Sequence, residues 1–524
     1  MYNVLLIGAL AAIVLTVRVL QIGKRDQRLP PGPPTTPIFG NALQLPPTGM
    51  YKVWRDWAAQ YGSVFSLKIG PSTLIVLCDR KAIHKLLVEQ GAKYSSRKQH
   101  YITNLITGGV AISMSEDNRN WREQRKVISH ALSPKQLDEK HYKVQEAEAT
   151  VLMNNLLNDP ANFYQEIRRY TSSVITSLVF GYRSDTYDTF WCREPYENLE
   201  RFAHLMEPGA VPPVDEFPFL QYIPSFLAPW KRRAAAVKDE QFGYWTQARS
   251  RLEKRRLDGT RRNCIGDMLL DEWEKSGWPM SSEAFTWVLG EFVAAGSDTT
   301  ASQLQTLILA LAKNPHVQKK AQVEIDAVCG STRAPTWSDL SQLPYINAIV
   351  KEGMRWRPVA VTGLPHAAKE DGFYEDMLIP KDSMIFVPVW ALHHTEELYK
   401  DHDAFNPDRY LDHPKLANDY AGSPDFDNRD HYGYGAGRRI CPGIHLAERN
   451  MWRIIAKLIW AFDFKEPQDP KTGEVIPIDQ DAYTTGHLVA PRPFSVQIIQ
   501  RSKAHISIIK EEQAEALAFL EQYN

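Results

Sequence analysis

Residues 434–443 read YGAGRRICPG, and this stretch decides more about the 524-residue chain than any other. Three glycines surround a single cysteine, Cys441, and an apolar run with helical spacing follows from Ile444. Glycine lets a backbone turn tightly and approach a flat molecule closely. Pro442 suits the first turn of a helix, whose free N–H groups and positive dipole end favour a thiolate. The stretch therefore predicts a cysteine that acts as a metal ligand.

The class of metal site follows from the cysteines of the whole chain. They lie at positions 78, 192, 264, 329 and 441, and none forms a CxxC pair. Zinc and iron–sulfur sites need several ligands, whereas a haem can take one axial cysteine. The odd, scattered set is not a disulfide framework and favours a reducing compartment. The alternative for Cys441 is a buried structural cysteine beside a glycine turn.

The stretch resembles the haem-binding loop of the cytochrome P-450 superfamily, Phe-x-x-Gly-x-Arg-x-Cys-x-Gly. Gly437, Arg439, Cys441 and Gly443 match, while Tyr434 replaces the usual phenylalanine and adds a hydroxyl. The resemblance implies haem b with Cys441 as the thiolate ligand, O2 as the oxidant, and NADPH as the electron source through a reductase. It also implies a mainly α fold, in which a large helical domain carries small peripheral β-sheets.

Residues 295–300, AGSDTT, form a second motif inside a helical run that begins near Ser282. Glycine within a helix costs about 1 kcal/mol relative to alanine, and such a helix would tolerate the glycine where it must bend over a ligand. The motif resembles the oxygen-activating signature of the superfamily. The resemblance implies that Thr299 hydrogen-bonds iron-bound dioxygen and that Asp298 feeds protons from solvent. The alternative is a polar helix face near a C-cap.

Two further sets of residues match the superfamily pattern. Glu352 and Arg355 are three apart and share a helix face. Such a pair is usually exposed and weak, but the resemblance implies a buried structural pair that Arg409 joins. The second set consists of the expected partners of the haem propionates, which are Trp121, Arg125, His366 and Arg439. His366 has the alternative of an ordinary polar residue with its hydrogen bonds satisfied.

The chain is expected to divide into four segments. Residues 1–22 contain the uncharged run VLLIGALAAIVLTV and predict one N-terminal transmembrane helix, with a cleaved signal peptide as the alternative. The basic and proline-rich residues 23–40 predict a stiff hinge, residues 41–500 the haem-thiolate catalytic domain, and residues 501–524 a charged C-terminal tail. Basic residues after the apolar run predict a single-pass protein of the endoplasmic reticulum membrane, with its catalytic domain facing the cytosol.

Apolar periodicity predicts most secondary structure between these markers. Residues 64–78 read as strand, turn and strand, and short β-rich text returns near 378–390 and 484–499. Residues 208–229 are rich in proline and aromatic residues, and we interpret them either as a segment that dips into the membrane surface or as a loop packed on its own core. Residues 511–521 read as a surface helix. Helices are predicted at 121–131, 160–178, 283–312, 345–356 and 444–462.

The sequence therefore predicts a reductase-dependent monooxygenase. Two alternatives are a haem-thiolate isomerase or dehydratase and a non-catalytic haem sensor. The expected partners are an NADPH–haemoprotein reductase, cytochrome b5 as a second electron donor, membrane lipid and a small hydrophobic substrate. The 61 basic and 62 acidic residues give no indication of nucleic-acid binding.

The predicted pocket linings are residues 98–115, 285–295, 359–364 and 483–488, and a cresol-type phenol from polyketide metabolism is the substrate hypothesis. Arg122, Lys126 and Arg438 are docking candidates, with plain solvated surface as the alternative.

Overall fold

Helices account for most of the computed structural model, which describes residues 2–207 and 209–524. Met1 and Pro208, which begin the predicted anchor and the predicted proline-aromatic stretch, lie outside the described residues. In chain order the helices are α1 Tyr2–Gln21, α2 Met50–Tyr61, α3 Arg80–Ile83, α4 Gly91–Tyr94, α5 Tyr101–Thr107, α6 Arg119–Ala131, α7 Pro134–Gln136, α8 Tyr142–Asn158, α9 Phe163–Phe180, α10 Arg193–Leu205, α11 Pro229–Leu257, α12 Ile265–Ser276, α13 Ser282–Lys313, α14 Pro315–Val328, α15 Pro344–Trp356, α16 Val389–His393, α17 Ala417–Ala421, α18 Ile444–Ala461 and α19 Lys503–Leu520.

The strands form small sheets at the periphery, as predicted. Their bounds are β1 Val64–Ile69, β2 Ser72–Leu77, β3 His366–Ala367, β4 Gly372–Tyr374, β5 Met377–Ile379, β6 Met384–Phe386, β7 Phe462–Lys465 and β8 Gln497–Gln500. One sheet has the order β1-β2-β6-β3, in which only β2 and β6 run parallel. The pairs β4–β5 and β7–β8 are antiparallel. The predicted strand, turn and strand of residues 64–78 are confirmed as β1 and β2.

The long helix α13 runs through the largest hydrophobic core and packs against α9, α11, α15 and α18. Its first turn is capped by Ser281, whose hydroxyl accepts a hydrogen bond from the Ala284 N–H. The five predicted helices are confirmed as α6, α9, α13, α15 and α18. Their ends differ slightly, because residues 160–162 form a 3₁₀ turn and Phe462 already belongs to β7.

The structure adds detail on the terminal segments. The predicted transmembrane helix corresponds to α1, yet no helix in the described part of the chain is both long and apolar enough to cross a bilayer. The proline-rich segment lies against β1, where the Ser66 N–H donates to the Pro31 carbonyl at 2.7 Å. The predicted tail helix begins earlier, at Lys503, and packs on α8 with Ile509, Ala516 and Leu520 buried.

Candidate functional site

Cys441 lies in a tight loop immediately before α18. Its N–H donates to the Tyr434 carbonyl at 2.9 Å, which closes the loop. Gly437 has a positive φ of 62°, and a Cβ there would lie 2.0 Å from the Leu87 carbonyl oxygen. Only glycine fits this position. Helix α18 begins at Ile444, so Pro442 precedes the helix instead of lying in its first turn as predicted.

The charge state of Cys441 depends on more than the helix. Burial raises the pKa of the Cys441 thiol, and the Gly443 N–H and Arg125 oppose this increase only in part. The expected lowering of the pKa by the helix start is therefore insufficient by itself. A metal cation bonded to the sulfur would hold it as the thiolate. The other four cysteines are buried, whereas Cys441 is partly accessible.

Three arginines near this loop form a cationic cradle: Arg97, Arg125 and Arg439. Arg97 Nη1 donates to the carbonyls of residues 364 and 365 at 2.5 Å each, and Arg439 Nη2 donates to that of residue 115 at 2.7 Å. Burial lowers the pKa of Arg97 to about 9, with repulsion from Arg439 adding to it, and lowers that of Arg439 to about 10. Among the described residues, none of the three pairs with a carboxylate. Because buried cations need counter-ions, the cradle fits the two propionates of a haem.

Two other predicted propionate partners lie beside the cradle. The Trp121 ring stacks on the Arg439 guanidinium at 3.9 Å, and Trp121 shares the face of α6 with Arg125. His366 Nδ1 lies 3.0 Å from the Tyr94 carbonyl, which can only accept, so Nδ1 carries the proton. Burial and Arg97 lower the pKa of His366 to about 3. Neutral His366 therefore offers a lone pair at Nε2, and it would donate to a propionate only when protonated.

The middle of α13 faces an internal space. Ala295 is exposed and Thr299 is half-buried, although the helix residues on either side are largely buried. Thr299 Oγ1 donates to the Ala295 carbonyl at 2.7 Å. A Cβ on Gly296 would lie 3.0 Å from Cγ1 of Ile175, so this glycine permits close packing against α9. The helix is continuous across the motif, and close packing explains the glycine where we predicted a bend.

Asp298 lies two residues after Gly296 on the same helix and is half-buried. Burial raises the pKa of Asp298; Arg168 lowers it, and Glu200 raises it further. The guanidinium of Arg168 lies between two tyrosine rings, 5.2 Å from that of Tyr164 and 4.8 Å from that of Tyr196. An acid with a raised pKa can carry a proton closer to neutral pH.

Comparison with known proteins decides the family. The family model "Cytochrome P450" matches residues 30–496. The chain belongs to the cytochrome P450 family. It is 41% identical over 518 residues to cytochrome P450 monooxygenase yanC of Aspergillus niger, covering 96% of each chain. It is 40% identical over 507 residues to cytochrome P450 monooxygenase patI of Aspergillus clavatus, covering 97% of this chain and 95% of that protein.

Family membership makes this P450 a monooxygenase with haem b, a cysteine thiolate ligand, O2 as the oxidant and NADPH as the electron source through a redox partner. Cys441 and the arginine cradle provide the two kinds of contact that such a cofactor needs, a soft axial ligand and cations for its carboxylates.

The residues predicted to form a buried structural set, Glu352, Arg355 and Arg409, lie close together in this P450. Arg355 donates from Nε and Nη2 to the two oxygens of Glu352 at 2.7 Å each, and both side chains are fully buried. Arg409 joins more loosely, because its Nε lies 3.7 Å from Glu352 Oε1. Arg355 also donates to the carbonyls of His393, His402 and Ala404, which lie on the segment that leads toward the Cys441 loop.

Sequence reasoning missed Arg97. This residue stands one position before a predicted pocket lining, but its partners at 364 and 365 are 267 and 268 residues away. All three docking candidates, Arg122, Lys126 and Arg438, are exposed, but Arg122 Nε also lies 2.9 Å from the buried Asp117 carboxylate. Arg122 is therefore less free to meet a partner.

Proposed function

We propose that this P450 hydroxylates a hydrophobic or small aromatic molecule, such as a cresol-type phenol, in secondary-metabolite biosynthesis. The observation that carries the proposal is the accessible patch of Ala295 and Thr299 in the middle of buried α13. An acid, Asp298, lies next to the patch. This arrangement is suited to a reaction that consumes protons at an oxygen-binding site.

Each group of side chains has a separate task. A thiolate-ligated haem supplies the electron density that favours cleavage of the O–O bond. The 434–443 loop fixes the sulfur, and the arginine cradle neutralises the propionates. Asp298 holds a proton, and the Thr299 hydroxyl lies on the accessible patch of the same helix.

Reconstitution with a reductase tests the proposal. The carbon monoxide complex of the reduced protein should show the red-shifted band of thiolate-ligated haem, and Cys441→Ser should lose it. Product formation from m-cresol should require NADPH, reductase and O2. Turnover without NADPH would support an isomerase or dehydratase instead, and an intact haem without turnover on any phenol would support a sensor.

We also propose that the protein is held at the endoplasmic reticulum membrane, with its catalytic domain facing the cytosol. Support comes from α1, whose Leu5, Leu6 and Leu10 side chains are at least 65% exposed. Further support comes from residues 209–229, where Phe219, Tyr222 and Phe226 are exposed while Val214 and Ala228 are buried. This stretch therefore combines features of both predicted interpretations. Protease accessibility of the catalytic domain in sealed microsomes tests the orientation.

An NADPH–haemoprotein reductase, with cytochrome b5 as a second donor, is the proposed electron source. Lys126 and Arg438 are exposed cations near the Cys441 side of the protein and are proposed to attract acidic partner surfaces. Replacing both by glutamate should slow reduction of the haem at low salt and leave substrate binding unchanged. Unchanged reduction rates would contradict this docking surface.

A further inference from the structure

Two predicted pocket linings meet at a polar contact. The Val489 N–H donates to the Val359 carbonyl at 2.8 Å, which joins the backbones of the two segments. Beside this bond, Thr362 Oγ1 lies 3.1 Å from His487 Nδ1. Leu364, two residues after Thr362, accepts from Arg97 of the cradle. The Thr362–His487 contact therefore lies on a wall that continues directly to the haem site.

The third predicted lining is tied to this region and to α13. Glu291, one turn before Ala295, accepts from the Ser113 hydroxyl at 2.7 Å. His100 influences the pKa of His487 and is itself paired with Asp215 at 3.0 Å. These contacts bring the 98–115 lining close to both α13 and the His487 segment, and His100 already has a carboxylate partner in Asp215.

The hydrogen bonds of Thr362 indicate what His487 presents to that space. Thr362 Oγ1 also donates to the Gly363 carbonyl at 3.2 Å. When the single hydroxyl proton of Thr362 is donated to the Gly363 carbonyl, His487 must supply the proton of the Thr362–His487 bond from Nδ1–H. His487 Nε2 then carries a lone pair that can accept a hydrogen bond. Among the described residues Nε2 has no hydrogen-bond partner, and the His487 side chain is partly accessible. Burial lowers the pKa of His487, with His100 adding to the effect, so the ring stays neutral.

We propose that His487 selects the substrate of this P450 by a hydrogen bond between its Nε2 and a hydroxyl group on a neutral aromatic ring. The hydroxyl of a phenol can donate a hydrogen bond to the lone pair on His487 Nε2. In the other histidine tautomer, where Nε2 carries the proton, the same hydroxyl can accept a hydrogen bond from it. A carboxylate would find no unmatched cation beside His487, and a hydrocarbon would leave Nε2 without a partner. This inference rests on the proposed function, because it specifies the substrate class of the same pocket.

Binding titrations of the haem-loaded protein with three matched probes test the inference. m-Cresol, 3-methylanisole and toluene have the same ring and methyl group, and they carry a hydroxyl, a methyl ether and no oxygen. We expect wild type to bind m-cresol about tenfold more tightly than 3-methylanisole, the size of effect that one hydrogen bond gives. His487→Phe should abolish this preference, and Thr362→Val should weaken it.

Controls separate recognition from folding. His204→Phe, at a largely exposed histidine on α10, should keep the wild-type preference. His487→Gln, which retains a hydrogen-bonding group, should keep part of it. An m-cresol preference that survives in His487→Phe overturns the inference, as does a wild type that binds m-cresol no better than 3-methylanisole. The carbon monoxide spectrum of each variant reports the haem site independently, so loss of the preference with an intact spectrum concerns His487 alone.

Discussion

Asp298 is a half-buried acid whose proposed proton-carrying role and whose effect on stability can be measured separately. Burial is the largest influence on its pKa and raises it. When the pKa of a carboxyl group is higher in the folded than in the unfolded protein, the native state binds more protons than the unfolded state at pH values between the two pKa values. The free energy of unfolding therefore falls as pH rises through that window. The fold tolerates this loss at neutral pH, which is expected of a residue kept for proton transfer.

Asp298→Asn should separate the two properties. The amide cannot ionise, so the free energy of unfolding at pH 7 should be unchanged or higher, and its pH dependence should be smaller. Product formation should fall about 100-fold, since general acid catalysis contributes this order of magnitude. Thermal unfolding from about pH 4, near the pKa of aspartate in an unfolded chain, to about pH 8 and NADPH-dependent turnover measure the two effects.

Ser297→Ala is the matched control for Asp298→Asn. Ser297 is the preceding residue, but it is buried away from the cavity and its hydroxyl bonds the Val293 carbonyl. We expect near-normal turnover. An Asp298→Asn protein that unfolds more easily but retains full turnover would contradict the proton-carrying role.

At the scale of elements, the pair Glu352–Arg355 fastens α15 to the segment that carries Arg409 and leads to the haem loop. Arg355→Ala leaves Glu352 as a buried charge whose bidentate partner is gone, a cost of roughly 3–5 kcal/mol. We expect mostly haem-free protein, measured as the ratio of Soret to protein absorbance. Arg409→Ala should cost less, because Arg409 is more exposed and its Nε lies 3.7 Å from Glu352. Normal haem content in Arg355→Ala would refute the structural role.

The C-terminal helix α19 gives a second test at this scale. Leu520 is fully buried, whereas Leu517 on the same helix is 41% exposed. Leu520→Ala should lower the free energy of unfolding by about 2–4 kcal/mol, and Leu517→Ala by no more than about 0.5 kcal/mol. Thermal denaturation of the haem-loaded protein compares them. Equal effects would mean that α19 does not contribute to the core as described.

Local sequence could predict elements with strong periodicity and residues held in a motif, and it failed where distant segments meet. Helices α13 and α18 followed from apolar spacing, and Cys441 from its own neighbours. The packing of α19 on α8 could not be predicted, because these helices are separated by more than 340 residues. The same reason applies to Arg97, which bonds to residues 364 and 365, and to His487, which bonds to Thr362 across 125 residues.

At the scale of the whole molecule, the 209–229 stretch and the proline-rich segment meet at Gly70, in the turn between β1 and β2. The Gly70 N–H donates to the Phe39 carbonyl at 3.1 Å, and a Cβ on Gly70 would lie 3.8 Å from the Phe217 ring. The 209–229 stretch therefore lies next to the proline-rich segment that follows α1. Scattered exposed apolar residues are normal in soluble proteins, but a grouped patch indicates an interaction surface.

The proposed membrane binding should consequently survive the loss of α1 in part. A chain that begins at residue 30 should still bind vesicles of phosphatidylcholine and phosphatidylserine, although more weakly than the full chain. In that truncated chain, replacing Phe219, Tyr222 and Phe226 together by serine should weaken binding at least tenfold, because burying one large apolar side chain contributes about 1.5–3 kcal/mol. Leu257→Ser is the control, since Leu257 is 88% exposed but ends α11 outside this stretch. Sedimentation with vesicles measures each affinity, and equal losses in the triple variant and the control would show that the stretch does not meet the membrane.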